Sequence, residues 1–374
     1  MDLRINKIDE NIRSAYGLAT GDINGDGLTD VVVGSTGEKT VAWYEAPDFK
    51  KHVISTQHGG TICVAAHDLT GNGNLDVIAG SGFNRRDRSV IEYLHWFEQP
   101  EEEGEWKSYF IDEIPYIHRL MSVDFQGTGE DALIVASIRG PVGSLDDWSD
   151  PGVLWLYEYP VDPYGEWKHY AIDEDLHLNH GLSVCDVDDD GRQDILVGMR
   201  DGLIWYEPPA EGLTDPWSKW VISELESSET WAADIDGDGV NEILSIEPWH
   251  GNELIYYKCE GDIRRGPWKR HIVDATLNRG HSIQARDIDG DGKVELISGY
   301  NGEGTQLNIY KSTGSDEGRW EKQTVDDGLG MGQMEILDID GDGNLEIVAT
   351  GMSTGNVRIY KQSLDTRPNG RYSG

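Results

Sequence analysis

The feature that most constrains this chain is a short acidic loop, D-x-D/N-x-D-G-x-x-D/E, that recurs seven times. It begins at Asp22, Asp68, Asp124, Asp186, Asp234, Asp287 and Asp338. The starts lie 46 to 62 residues apart, a spacing of one supersecondary unit each. Around every loop the same order of apolar runs returns. In the fourth unit Leu182 to Cys185 precede the loop, and Ile195 to Val197, Leu203 to Tyr206 and Trp217 to Ile222 come after it. These are four strands per unit. Units of this kind cannot bury both faces alone, and radial stacking solves the problem. The expectation is an all-β fold: one seven-bladed β-propeller spanning residues 1–374, with four-stranded blades and calcium-binding loops.

The last unit stops after its third strand, Val357 to Tyr360. The missing strand stands at the other end of the chain. Residues Leu3 to Asp9 end in Ile8-Asp9, matching Ile111-Asp112, Ile172-Asp173 and Val273-Asp274 at fourth-strand ends. The N-terminal strand is therefore expected to complete blade seven and close the ring. Tryptophans recur in the third strand (Trp43, Trp96, Trp155, Trp205) and at the start of the fourth (Trp106, Trp167, Trp268, Trp320), where packing between blades explains them.

In each loop, acids at positions 1, 3, 5 and 9 surround a turn that needs glycine, and all-oxygen ligands suit calcium better than zinc. The full sets are Asp186/Asp188/Asp190/Asp194, Asp234/Asp236/Asp238/Glu242, Asp287/Asp289/Asp291/Glu295 and Asp338/Asp340/Asp342/Glu346. Asp22/Asn24/Asp26/Asp30 has one neutral member. The second loop (Asp68, Thr70, Asn72, Asp76) has lost charge, and the third (Asp124, Gln126, Thr128) is one residue short before Asp131. The expected role of the ion is structural, joining the first strand to the second.

A net charge of −38 opposes nucleic acid and anionic membranes, which need clustered Lys and Arg. There is no run of 18 apolar residues, so no membrane span is expected. The three cysteines contain no C-x-x-C pair, and Cys63 and Cys185 fall in apolar strands as buried thiols. Localisation stays open. Calcium loops fill readily outside the cell or in a periplasm, as after a trimmed signal, whereas Met1 and the lack of a signal pattern point to the cytoplasm. A monomer or a small homo-oligomer is expected.

If the calcium loops lie on one rim, the segments entering each first strand open on the other. Six residues before the first Asp stand His118, His180 and His281, in blades three, four and six. Three imidazoles at one register position should converge on the axis. Long segments come after the second strand in blades two and three, with Arg85, Arg86 and Arg88 in one and Arg139 in the other. Blade five adds Glu247, Trp249 and His250, and Arg200, Trp231 and Tyr300 complete the candidate wall. His, Arg, Trp and Tyr gathered on one face of an acidic protein fit a polyhydroxylated or carboxylated ligand, such as a sugar. Serine-hydrolase, nucleotide and zincin motifs are absent. A glycosidase carboxylate pair is not recognisable, although Glu229 and Glu247 remain candidates.

The repeats resemble the FG-GAP or VCBS type. More narrowly, His118-Arg119-Leu120, Ile138-Arg139-Gly140-Pro141, His180-Gly181-Leu182 and Ile246-Glu247-Pro248-Trp249-His250-Gly251-Asn252 resemble the propeller of the aldos-2-ulose dehydratases, which are similar in fold to propeller polysaccharide lyases. That resemblance implies a carbohydrate lyase working by β-elimination, on a ketosugar such as 1,5-anhydrofructose or next to a uronic acid. Elimination needs a base, an acid and a holder for the enolate oxygen. His118, His180, His281 and His250 are expected as base, acid or zinc ligands, with Arg119 or Arg139 at the oxyanion. The other expectations are a non-catalytic propeller that binds sugar or protein through the same funnel, and a glycosidase.

Overall fold

The computed structural model describes residues 1–363 apart from 85–89, 103, 130, 143–147, 303 and 315–318. Its strands form seven antiparallel four-stranded sheets, six of them following chain order outwards from an inner strand and the seventh taking its outermost strand from the N-terminus. The inner strands are Ala15–Gly21, Cys63–His67, Ile117–Val123, Gly181–Cys185, Thr230–Ala233, Gly280–Arg286 and Met331–Leu337. They wall a central channel. None of the described elements is a helix long and apolar enough to cross a membrane.

The second strand of each blade lies between two strands of its own sheet and between two neighbouring blades. It is buried on both faces in all seven, from Asp30–Ser35 to Glu346–Gly351. This explains its continuous apolar runs, such as Val31-Val32-Val33, where a half-exposed strand would alternate. The core is therefore a set of inter-blade layers. Ile134 and Leu156 of blade three, for instance, meet Val197 and Tyr206 of blade four. The burial that drives folding exists only between neighbours.

The N-terminal strand does close the ring. Leu3–Asp9 pairs antiparallel with Asn356–Gln362, with Leu3 opposite Gln362, Ile5 opposite Tyr360 and Lys7 opposite Arg358. Arg358 ties the seam further, reaching Glu10 at 2.9 Å and Asp326 at 2.7 Å.

The Asp at the end of the fourth strand has a defined task. It accepts a hydrogen bond from the third-strand tyrosine of the next blade: Tyr44 to Asp9 (2.8 Å), Tyr157 to Asp112 (2.9 Å), Tyr206 to Asp173 (2.6 Å), Tyr310 to Asp274 (2.8 Å) and Tyr360 to Asp326 (2.6 Å). Lys51, Lys219 and Lys322 add a second donor to Asp9, Asp173 and Asp274. Burial alone would raise these carboxyls, but the Lys and Tyr donors outweigh it and hold Asp9, Asp173 and Asp274 below 3.8. At the other two junctions the partners change together. Blade two carries Phe97, which has no hydroxyl, and Tyr257 of blade five donates to Ser223 at 2.7 Å.

The seven acidic loops share one turn. In every one the first Asp accepts backbone N–H groups from positions 5 and 6, as Asp22 does from Asp26 (3.0 Å) and Gly27 (2.8 Å). The second and third loops, poorer in acids, do the same. Glycine at position 6 has φ between 78 and 90° in all seven, a region that side chains resist. In the six loops other than the third, the acid at position 9 is buried and accepts the N–H of position 2, as Asp30 does from Ile23 at 3.0 Å.

The acids at position 5 also brace the turn. Asp26, Asp190, Asp238, Asp291 and Asp342 are all exposed, and the Oδ1 of each accepts the backbone N–H of position 7. The Oδ1 of Asp342 accepts both the backbone N–H of Asn344 at 2.8 Å and the Asn344 side-chain amide at 2.5 Å. The physical reason is local: the turn points the N–H of position 7 back at position 5, and an asparagine there adds a second donor. Each loop is thus hydrogen-bonded from within. Position 3, the second oxygen of position 5 and the remaining lone pairs are left for a cation.

Two outcomes are expected of this architecture. Removing residues 1–10 exposes the edge of Asn356–Gln362 and should lower the melting temperature sharply; an unchanged value would refute closure by this strand. Tyr310→Phe should cost about 2 kcal/mol at pH 7, the scale of a hydrogen bond to a charged acceptor. The Asp274 carboxyl is depressed in the folded state, so its contribution is present above 3.8 and is lost as the pH falls below that value. The gap between variant and parent in chemical denaturation should therefore narrow in acid.

Candidate active site

The rim opposite the acidic loops is built by a turn that repeats. Eight residues before the loop, Ser14, Gly60, Tyr116, Leu178 and Arg279 all have left-handed backbone, with φ of 52, 68, 53, 53 and 61°. The chain there swings from one blade's outer strand into the next inner strand. Two residues later the ladder slips. In blades one, three and six the pairing runs Ala15–Ser35 to Gly17–Gly34, Ile117–Ser137 to Arg119–Ala136, and Gly280–Tyr300 to Ser282–Gly299. The extra residues are Tyr16, His118 and His281. A bulge frees a side chain from the alternation of the strand and re-aims it, here into the channel mouth.

The four predicted histidines do converge. His180 lies 4.6 Å from His118, 4.2 Å from His250 and 5.0 Å from His281 between ring centroids, and His250 stacks on His281 at 4.9 Å. Tyr16 bridges the rest: its hydroxyl is 3.3 Å from His118 Nε2 and 3.4 Å from His281 Nε2. Arg119 donates to that hydroxyl at 3.0 Å and to Glu229 Oε1 at 3.2 Å. Glu229 Oε1 also lies 2.6 Å from His180 Nδ1. Trp249 packs its ring edge-on to His250 at 4.1 Å and caps the group.

Sequence reasoning passed over Tyr16 and used Glu229 only as a candidate glycosidase carboxylate. The signal was present in the same count. Tyr16 stands six residues before Asp22, as the histidines stand before their loops, and Glu229 stands five before Asp234, as Arg119 does before Asp124.

Burial sets the charge of the cluster. It holds His118, His250 and His281 well below 6.5, helped by Arg119 beside His118 and by the neighbouring imidazoles. Burial also pushes the Glu229 carboxyl up to about 8, against the pull of Arg119, and raises the Tyr16 phenol. The imidazoles are therefore neutral near pH 7, with lone pairs to offer. His281 Nδ1 faces the Gly332 carbonyl at 2.9 Å and His250 Nδ1 the Gly280 carbonyl at 3.3 Å. A carbonyl only accepts, so both rings carry their proton on Nδ1 and present a bare Nε2. One nitrogen each from His180, His250 and His281 lies within 4.8 Å of the others. Two neutral imidazoles oriented by carbonyls, with His180 beside them, form a donor set that fits zinc with an open position.

Beneath the cluster lies a cavity of about 240 Å³, lined at its upper end by Arg119, Glu229 and His281 and farther down by Trp231 and Glu335. Trp231 thus reaches the channel, with Arg286 stacked 4.9 Å over its ring. The other predicted contacts separate from this centre. Arg139 is buried at 1% exposure, stacked 4.1 Å over Tyr116 and 5.0 Å from Trp148, and donates to the Tyr116 hydroxyl at 2.6 Å. It supports the wall that carries Trp249 instead of facing the cavity. Glu247 is engaged by Arg270 and Tyr257, both at 2.7 Å. The Tyr300 hydroxyl accepts a hydrogen bond from Lys322 at 2.6 Å within blade six, and Arg200 is exposed on its turn. Arg85, Arg86 and Arg88 fall outside the described residues.

Residues 22–79, 186–245 and 287–349 match the family described as FG-GAP-like repeat. These stretches are FG-GAP-like repeats. Over 318 residues the chain is 26% identical to aldos-2-ulose dehydratase of Phanerodontia chrysosporium, covering 75% of this chain and 33% of that protein. It thus spans about a third of that relative's length. A 122-residue stretch is 27% identical to BBSome complex member BBS2 of Rattus norvegicus, covering 32% of this chain and 14% of that one. Among solved structures, a rhamnogalacturonan lyase of Bacillus licheniformis superposes with a TM-score of 0.53 at 14% identity, over 93% of this chain and 72% of its own. At that identity the likeness is one of fold.

Replacing Arg119 by Met leaves the Glu229 carboxyl buried without its guanidinium partner. The expected loss is about 3 kcal/mol in chemical denaturation, with much of it recovered in the double variant Arg119→Met, Glu229→Gln. Additive losses would mean that the pair is not coupled.

Proposed function

We propose that this propeller is a carbohydrate lyase that works by β-elimination at the histidine cluster. The most fitting substrate is a ketosugar such as 1,5-anhydrofructose or a related aldosulose. The observation that carries the reading is the convergence of four histidines with Tyr16, Arg119 and Glu229 above a cavity in the channel. The 26% identity to aldos-2-ulose dehydratase supports the same chemistry.

Elimination breaks a C–H bond beside a carbonyl and a C–O bond one carbon further on, forms a C=C bond, and releases water. His118 belongs to the cluster but stands outside the trio His180, His250 and His281. It is buried, neutral at pH 7, and its Nε2 faces the Tyr16 hydroxyl at 3.3 Å. These properties suit the base that takes the carbon-bound proton. Arg119 is placed to hold the developing enolate oxygen, and the Tyr16 hydroxyl to pass a proton to the departing oxygen. Glu229 fixes Arg119 and His180. His180, His250 and His281 would hold zinc, which when bound supplies a Lewis acid for the sugar carbonyl.

The cavity is smaller than the roughly 300–1,000 Å³ common for drug-sized ligands. That size favours a single sugar ring over a polymer chain. The acidic loops of blades one and four, which no third-strand lysine enters, are proposed to hold calcium in a structural role on the far rim, away from this chemistry.

The test is a rise in ultraviolet absorbance with 1,5-anhydrofructose, since the product has a conjugated C=C–C=O. His118→Ala should lower the rate by about 10²–10⁴-fold, the range of general acid–base catalysis. Co²⁺ added to metal-free protein should give a visible tetrahedral spectrum that His250→Ala abolishes. Absorbance that rises only with uronate polymers would move the assignment to polysaccharide cleavage. A flat response to both, with sugar still bound by His118→Ala, would show a binding module. Reducing sugar released without absorbance would show a glycosidase.

A further inference from the structure

The acidic loops are not alike in what faces them. Each third strand carries an aromatic residue followed by one charged residue, next to the loop of its own blade. In blades one to four that residue is Glu, in Tyr44-Glu45, Phe97-Glu98, Tyr157-Glu158 and Tyr206-Glu207. In blades five to seven it is Lys, in Tyr257-Lys258, Tyr310-Lys311 and Tyr360-Lys361. The ladder fixes the meeting. Ile243 pairs with Tyr257, Leu296 with Tyr310 and Ile347 with Tyr360, so each lysine emerges beside the position-9 acid of its loop.

The ammonium groups reach into the acids. Lys258 Nζ lies 2.7 Å from Asp238 and 3.3 Å from Glu242, and also contacts Asp236. Lys311 Nζ lies 3.2 Å from Glu295 and contacts Asp289. Lys361 Nζ lies 2.7 Å from Asp340. These are loop positions 3, 5 and 9, the oxygens left over once the first Asp has capped the turn. In blade one the corresponding Glu45 adds a carboxylate instead, accepting from the Asn24 amide at 3.3 Å. The chain has therefore placed a tethered monovalent cation among the acids of three successive blades.

We propose that Lys258, Lys311 and Lys361 are resident cations that take the place of metal in the last three loops and keep that arc of the ring closed without it. The inference depends on the calcium reading of the loops only for the behaviour of chains that lack these lysines. An attached ammonium acts at high effective concentration, so free calcium enters these loops only by displacing it. Removing the lysines leaves clustered carboxylates that repel one another until a divalent ion arrives.

The experiment compares the full chain with the variant Lys258→Met, Lys311→Met, Lys361→Met, and with the single Lys311→Met in case the triple does not fold. Thermal unfolding is followed in EDTA and in millimolar calcium, and bound calcium is counted by equilibrium dialysis. The parent should lose less melting temperature between calcium and EDTA than the variants do. The variants should melt lower in EDTA, recover in calcium, and bind up to one more ion per lysine removed, on the order of tenfold tighter than those loops do in the parent. An undiminished melting temperature of the variants in EDTA overturns the proposal, as does a parent that already binds calcium tightly in blades five to seven. A drop in EDTA that calcium does not reverse leaves the lysines as resident cations and refutes the calcium reading alone.

Discussion

No blade of this protein can bury both its faces by itself. Each second strand is apolar on two sides, and the surface that covers it belongs to the next blade round. Stability is therefore shared round a circle and depends on every junction, including the one where the chain's two ends meet. The Tyr-to-Asp bonds between successive blades add direction to that burial. They fix how far one blade is turned against the next, and hence where the inner strands and their leading residues stand around the axis.

That registration is what makes a site possible. The bulges in blades one, three and six turn Tyr16, His118 and His281 out of the strand alternation and into the channel mouth, and the left-handed turn two residues earlier sets their height. Arg119 and Glu229 come from the same register position in blades three and five and are hydrogen-bonded across the axis. Burial then keeps His118, His250 and His281 uncharged and the glutamate reluctant to ionise. A buried, nitrogen-rich centre arises in a protein whose net charge is strongly negative.

Much of this was legible in the sequence because the repeat supplies its own ruler. The blade count, the closing strand and the convergence of His118, His180 and His281 all come from counting back from the loop aspartates. The same ruler reaches Tyr16 and Glu229, but attention to histidine as the titrating residue passed over them. Spacing could not assign the partners. Glu247, Tyr300 and Arg139 read as funnel residues until Arg270, Lys322 and Tyr116 were seen to engage them. Those partners lie 10 or more residues away and face in through other strands, where chain periodicity has no purchase. The repeating Ile-Asp and Tyr-Lys pairs were visible as patterns, but their meaning lay across blade and strand boundaries.

Tyr16 and His281 are 265 residues apart in the chain and meet across the channel mouth. The side chains around them come from blades one, three, four, five and six, so no contiguous half of the protein contains the cluster. The first histidines are made long before their companions, so the cluster, with whatever reactivity its burial confers, cannot form before blade six has been made.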